Sequence, residues 1–407
     1  MKSLCDFGSI EKQMIRIIKG GLDPSNTARY KFISGVVSDT RLMGVVAMHL
    51  IFKDMVQEDA PLFHQFYYFD YEELGLESLK LLRSNNEEDV GRMVKECFAG
   101  LGANLVELSE KETYYLANWM KEDTVKKKQI LPDEIEEIEY VFLKAQELEG
   151  SELSILNSKM TVPIKSEYGI VNYYLMRCFG KDREGAELLT FDGIDVFDPS
   201  PKDHSTFLKN KITLLPESAG QHKVYRCESL IEIEKDAKHH LVVTEVELQS
   251  RKVLACRIIS DIAVSLYEAS LLLAKEEYVS VFEMKEGTDA FSFAASFAKF
   301  ALGMTHSGHP AGEMFMDFMP NNNHAENKVF MLSDDISGLY FAGDSGQIVC
   351  ASYSLSGIIQ AETKLMIGQV GEFVTLTNRY HFPASIIYDF AESGFTDFNE
   401  YLASVDD

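Results

Sequence analysis

The chain has 407 residues, with 64 Asp and Glu against 39 Lys and Arg, which gives a formal net charge of -25 at pH 7. Such a surplus of acid repels polyanions and anionic bilayers at long range, so neither nucleic acid nor a membrane surface is an expected partner. With 46% hydrophobic and 25% charged residues the composition is that of a folded protein with a sizeable core, not of a disordered one.

Taken in chain order, the first segment, Met1 to Gly20, mixes Asp6, Glu11, Lys12, Arg16 and Lys19 among its apolar residues and lacks the uninterrupted apolar stretch of a signal peptide. Val45 to Phe52 is a β-prone apolar run and Phe66 to Phe69 an aromatic one, and both read as buried strands. Tyr71 to Glu77 then turns toward helical spacing. From about residue 86 to about residue 195 the pattern is mainly helical. Pro132 and Asp133 open one expected helix, Ile135, Ile138, Phe142, Ala145 and Leu148 recur three or four apart, and Gly150 stands where a C-terminal cap belongs. Its other face carries Glu134, Glu136, Glu137, Glu139 and Glu147, a solvated face that also suits the helix dipole. Tyr168 to Glu187 reads as another amphipathic helix.

Pro199-Ser200-Pro201-Lys202-Asp203 is the densest turn signal in the chain. Beyond it Val224 to Glu234 and Val242 to Leu248 alternate in polarity around Lys235-Asp236-Ala237-Lys238, the pattern of an antiparallel hairpin with one wet face. Leu254 to Leu273 is apolar and ambiguous, and Tyr278 to Phe282 is β-prone. Thr288 and Asp289 cap an expected helix carrying Phe293, Phe297 and Phe300 and ending at Gly303; Ala290 to Met304 is too short to span a bilayer and contains Lys299. Strands follow at Val329 to Leu332, Leu339 to Ala342, Gln347 to Tyr353 and Phe373 to Leu376, and a last helix begins with Thr396 as its cap and buries Phe398 and Leu402. The fold class is therefore α+β: a mixed α/β N-terminal segment, a helical middle, and a largely antiparallel β-sheet with helices in the C-terminal half. Two domains are expected, an α-rich one over residues 1–198, with strands up to about residue 80, and an α+β one over 199–407.

The six cysteines, Cys5, Cys97, Cys178, Cys227, Cys256 and Cys350, are dispersed and form no C-x-x-C pair, so free thiols in a reducing cytoplasm and no disulfides are expected. Arg177 and Lys181 flank Cys178, but a buried structural thiol is the simpler reading. His306, His309, Glu313, His324 and Glu326 lie within about twenty residues, and imidazole with carboxylate suits Zn, Fe or Mn. In that reading His306, His309 and His324 hold a divalent metal, and Glu313 or Glu326 is the base for a metal-bound water. Gly308 and Pro310 put His306 and His309 on a loop. His324-Ala325-Glu326 resembles the H-x-E element of zinc deaminases, without the P-C-x-x-C partner of that signature.

Gly343-Asp344-Ser345-Gly346 resembles the nucleophile segment of chymotrypsin-like serine proteases over four residues only, and between two β-prone runs it reads as a hairpin turn. Asp334 and Asp335 alternate on an extended chain, His239 and His240 belong to a hairpin connection, and Met314 to Met319 reads as core. No dinucleotide fingerprint, P-loop, G-x-S-x-G or H-E-x-x-H occurs.

The leading expectation is an acidic cytoplasmic protein that acts through protein contacts or self-association, without a cofactor. The alternative is a metal-dependent hydrolase or deaminase at residues 306–326. Residues 301–407 hold 14 Asp and Glu against 3 Lys and Arg, a difference of -11, which favours a cation or a basic protein surface as partner.

Overall fold

The computed structural model describes residues 29–405 apart from 58, 99–100, 102, 165, 200–202, 217–219, 221, 234, 236, 286, 288–303, 310–311, 319–328, 332–335 and 367–372. Among the described residues it is an α+β protein with ten α-helices and three antiparallel sheets. No helix among them is long and apolar enough to cross a membrane. The expected helix from Thr288 to Gly303 lies outside the described residues.

Five strands make the first sheet: β1 (Tyr30–Ser38), β2 (Val45–Asp54), β3 (Phe63–Asp70), β4 (Gly75–Arg83) and β5 (Leu105–Leu108), in the order β4-β3-β2-β1-β5. Both faces of β2 are buried, which is why Val45 to Phe52 is continuously apolar instead of alternating. Helix α1 (Glu87–Phe98) packs against β2 and β3. Helix α2 (Glu110–Lys126), opened by a capping box between Ser109 and Glu112, brings Tyr114, Leu116 and Met120 into one core with Met48, Leu50 and Phe52. Tyr71 to Glu77 does not turn helical. Asp70 accepts from the backbone N–H groups of Glu72, Glu73 and Leu74, and Gly75, at φ +69°, starts β4.

The long helix expected after Pro132 is replaced by a 3-10 turn at Asp133–Ile138 and the short α3 (Glu139–Phe142). Ile138, Tyr140, Val141 and Phe142 are all buried, and nearly consecutive positions cannot share one stripe of an α-helix. Gly150 begins the next helix, α4 (Gly150–Lys159), with Glu149 and Glu152 as its capping box.

Helix α5 (Glu167–Phe179) covers one face of the second sheet, β6 (Ser205–Leu214), β7 (His222–Ile233), β8 (Lys238–Gln249), β9 (Lys252–Val264) and β13 (Val329–Met331), ordered β13-β6-β7-β8-β9. Ile170, Tyr174 and Phe179 meet Phe207, Tyr225 and Val246 there, each burial contributing about 1.5–3 kcal/mol. The hairpin read from alternation is β7 and β8, with Ile233 opposite Lys238. The ambiguous run after Leu254 divides into β9 and α7 (Leu266–Leu273), separated by the N-cap Ser265. The helix expected over Tyr168 to Glu187 is interrupted: Lys181 takes φ 60°, and Asp182 caps a separate short helix, α6 (Arg183–Glu187).

The third sheet, ordered β11-β12-β14-β15-β10-β16, contains β10 (Glu277–Met284), β11 (Met304–His309), β12 (Gly312–Phe318), β14 (Ile336–Gly343), β15 (Gln347–Ser352) and β16 (Val374–Phe382). Helix α8 (Leu355–Met366) packs on one face, while α9 (Ile387–Ser393) and α10 (Phe398–Val405) pack on the other. Asp397, not Thr396, caps α10: its carboxylate accepts from the N–H groups of Asn399 and Glu400.

Candidate binding cleft

Two backbone links set the geometry of a cleft between α4 and the segment from Arg183 to Asp192. Arg41 N–H donates to the carbonyl of Met160 at 3.0 Å, tying the end of α4 to the β1–β2 connection. Val253 N–H donates to the carbonyl of Leu189 at 2.9 Å, tying the stretch after α6 to β9.

Beneath the cleft lies a buried cluster of charges. Arg41 Nη1 and Nη2 donate to Asp182 Oδ2 and Oδ1 at 2.5 and 2.9 Å, a bidentate pair. Arg177 Nη1 reaches the same carboxylate at 3.3 Å and Glu72 Oε1 at 2.8 Å, and His204 Nε2 lies 3.1 Å from Glu72 Oε2. Two guanidinium groups against two carboxylates leave no net charge, the condition under which buried ions are tolerated. Burial alone would raise the Asp182 pKa, but the attraction and hydrogen bonds of Arg41, with Arg177 and the Gly185 N–H, more than offset it and hold the carboxyl below its usual range. Glycines make the space. A Cβ on Gly44, which also needs φ +89°, would stand 2.1 Å from Arg177 Nη1, and one on Gly185 would stand 2.3 Å from Asp182 Oδ2.

Above this cluster the cleft has two chambers. The first, of about 370 Å³, has aromatic walls from Tyr71, Tyr115 and Trp119, apolar sides from Leu153, Leu156 and Met160, and the carboxylates of Glu184 and Glu187. Among the described residues Arg41 is the one basic residue lining it; its guanidinium is held by Asp182 and lies 3.5 Å from the centre of the Tyr71 ring. Glu184 has the opposite fate to Asp182. Enclosure by the cleft walls raises its pKa; Arg41 lowers it, and the charges of Asp182, Asp123 and Glu187 raise it again, for a net upward shift. The second chamber, of about 610 Å³, is lined by the hydroxyls of Ser154, Ser158, Thr161 and Thr190, by Glu187 and Asp192, and by Arg251 and Lys252. Asn157, Glu187 and Leu188 line both chambers, so the two adjoin.

The residues singled out from the sequence fall elsewhere. His306 and His309 are on strand β11 instead of a loop, because the β11–β12 ladder continues to His309 opposite Gly312. Gly308 stands opposite Glu313 on β12, so positions 306 and 313 share a face of the hairpin, while position 309, three residues from 306 on the same strand, falls on the other face. His324, Glu326, Asp334 and Asp335 lie outside the described residues. Among the described residues no group of three or more His, Cys, Asp or Glu is placed to hold a metal ion.

Gly343 to Gly346 forms the β14–β15 turn, closed by Gly346 N–H to the Gly343 carbonyl at 3.0 Å. His239 and His240 are in β8, and His240 Nδ1 lies 2.7 Å from Asp261. Phe315 is buried and Met314 and Met316 pack on the core, as expected of that cluster. The five cysteines among the described residues form no disulfide, and burial pushes the Cys178 thiol up to about 12, against any role as a nucleophile at neutral pH.

The lining of the cleft, by contrast, escaped the sequence reading. Its residues come from the β1–β2 connection, α2, α4, α6 and the β8–β9 turn, and no spacing links them. The one local signal was Lys181-Asp182-Arg183-Glu184, a polar run that interrupts the apolar period of the expected helix. No family model matches the chain, and comparison with curated proteins and with solved structures finds none similar to it.

Proposed function

We propose that the protein works by binding, without chemistry of its own, and that it receives a basic side chain of a protein partner in the first chamber of the cleft. One observation carries this reading: aromatic walls and the carboxylate of Glu184, with that of Glu187 already bonded by Arg183 Nε at 2.9 Å, surround a cavity whose own cation, Arg41, is already matched by Asp182. A cation over the face of an indole or phenol ring gains about 0.5–2 kcal/mol, more as the site is desolvated. Glu184 adds an anion whose charge is only partly compensated. The net charge of -25 acts at longer range, speeding encounter with a basic surface and making it sensitive to salt. The free thiols fit a cytoplasmic setting.

The chain has a single tryptophan, Trp119, and it lines this chamber, so its emission reports occupancy directly. Titration with the peptide acetyl-Gly-Gly-Lys-Gly-Gly-amide is expected to shift that emission saturably, whereas the same peptide with acetyl-lysine or norleucine is not. The double change Glu184→Gln, Glu187→Gln is expected to weaken binding about tenfold, equivalent to about 1.4 kcal/mol. Glu228→Gln, at an exposed pair with Lys211, is the control that leaves it unchanged. Equal response to the lysine and norleucine peptides would contradict the reading.

A second reading, a metal-dependent hydrolase or deaminase, draws support from the β11–β12 register only in that positions 306 and 313 share a face of the hairpin. It expects about one divalent metal per chain in protein purified without chelator, lost in His309→Ala and His324→Ala; metal-free protein would dismiss it.

A further inference from the structure

We infer that the first chamber selects a methylated ammonium, so that the partner side chain it receives is a methylated lysine in preference to lysine itself. This rests on that chamber being a cation site. The hydrogen-bonding groups on its walls set the preference. A lysine ammonium carries three N–H donors, and each needs an acceptor once its water is shed. Among the lining side chains few acceptors are uncommitted. Glu187 is bonded by Arg183 Nε at 2.9 Å, and Asp182, beneath the floor, is held by Arg41 and Arg177. The side chains of Asn157, Tyr115 and Glu184 remain, and Glu184 is exposed. Leu156 and Met160, both buried, offer no strong acceptor. A quaternary ammonium has no N–H to satisfy and spreads its charge over methyl groups that pack against rings and aliphatic side chains, which is how aromatic-lined sites hold such cations.

The three rings differ in what they leave open. Tyr71 is buried, with the Arg41 guanidinium 3.5 Å and the Trp119 ring 5.1 Å from its centre, so it backs the wall. Trp119 is half-buried and is held at a tilt by Tyr71 and by Phe69, 5.2 Å away. Tyr115 is half-buried too and meets no other ring or cation among the described residues. Burial, and after it the charges of Glu184 and Glu122, raise the Tyr115 pKa, which sets its phenol near the Glu184 carboxylate. A cation seated against Tyr115 thus has an uncommitted anion close by. The volume of about 370 Å³ leaves most of the chamber unfilled around a bare ammonium group, which is about the size of a water molecule. Methyl groups fill more of that space and gain dispersion contacts with its walls.

The test uses Trp119 emission with acetyl-Gly-Gly-Lys-Gly-Gly-amide, its mono-, di- and trimethyl-lysine forms, and the neutral analogue that has carbon in place of the quaternary nitrogen. Affinity is expected to rise with methylation, to about tenfold over lysine for the trimethyl peptide, and the neutral analogue to bind at least about tenfold more weakly than the trimethyl peptide. Tyr115→Leu is expected to erase most of that preference and Tyr115→Phe to keep it, a pair that separates loss of the ring from loss of the hydroxyl. Glu184→Gln is expected to weaken the lysine peptide severalfold and the trimethyl peptide less. Choline is the probe of source: weaker binding than the trimethyl peptide assigns the cation to a protein side chain, whereas tighter binding than every peptide overturns that assignment. Equal binding of lysine and trimethyl-lysine peptides overturns the inference and leaves the cation site standing. Equal binding of the trimethyl peptide and its neutral analogue overturns it as well, because the chamber would then be an apolar pocket. Response to no lysine peptide, methylated or not, overturns both the inference and the cation site.

Discussion

Asp182 and Glu184 are two residues apart on the same short stretch of chain, and their carboxyls are shifted in opposite directions. Asp182 lies beneath the cleft floor, where Arg41, Arg177 and the Gly185 N–H converge on it. Glu184 lines the chamber above, where the nearest cation is already occupied and further acids crowd it. The difference separates structure from binding. A carboxylate whose charge is answered inside the protein holds the fold together, and one whose charge is left partly unanswered, beside the half-buried rings of Tyr115 and Trp119, is a place for a ligand cation.

The largest effect expected is on the structural side of that comparison. Asp182→Ala removes the anion shared by Arg41 and Arg177 and leaves buried positive charge uncompensated, so unfolding in urea is expected to show a loss of about 3–5 kcal/mol. Gly185→Ala, which drives a methyl into the same carboxylate, is expected to approach that loss. A variant that keeps full stability would mean the cluster is not what joins α5, α6 and the β1–β2 connection.

Next in size is a contrast with a second buried polar group that is neutral. His49 Nε2 lies 3.0 Å from His64 Nδ1 on the first sheet, with Phe66 stacked against His49. Burial, with the neighbouring His64, lowers the His49 pKa from 6.5 to about 4, and burial lowers that of His64 as well. A histidine whose folded pKa lies below its unfolded value binds fewer protons when folded, so its stability contribution is complete above pH 6.5 and is lost as pH falls toward 4. Between pH 7 and pH 5 the loss from His49 is about 2 kcal/mol. Urea midpoints across that window check it, and the variant with His49→Gln and His64→Gln is expected to flatten the dependence. The charged cluster around Asp182 keeps its pairing over the same range, because its carboxyl titrates below the usual value.

Smaller again is Glu184→Gln on the binding side. It is expected to lower affinity for the lysine peptide severalfold while leaving the urea midpoint unchanged or slightly raised, the opposite division from Asp182→Ala. Smallest is Arg251→Gly, which relaxes a left-handed turn position and is expected to gain about 0.4–1 kcal/mol of stability. A loss of stability there would mean that the Arg251 hydrogen bond to the Ile164 carbonyl outweighs the strain of the turn.

Much of the sheet structure was legible in the sequence because strands buried on both faces leave continuous apolar runs, as at Val45 to Phe52, and half-wet ones leave alternation, as at Val224 to Leu248. The α+β class followed from these. The misread elements share a physical cause: long-range partners overrode local period. Asp182 breaks the helix after Phe179 to meet Arg41, 141 residues away. Ile138 to Phe142 are wound into 3-10 and short α turns because nearly every one of them is buried. The cleft was illegible for the same reason, since Trp119 and Glu184 line one cavity only after segments far apart in the chain have packed.

The most direct test is the emission of Trp119 on titration with acetyl-Gly-Gly-Lys-Gly-Gly-amide at low ionic strength, in the native protein and in the variant carrying Glu184→Gln and Glu187→Gln. A saturable shift that weakens about tenfold in the variant is the expected result. No shift, or one that the norleucine peptide reproduces, would contradict the assignment of the cleft as a cation site.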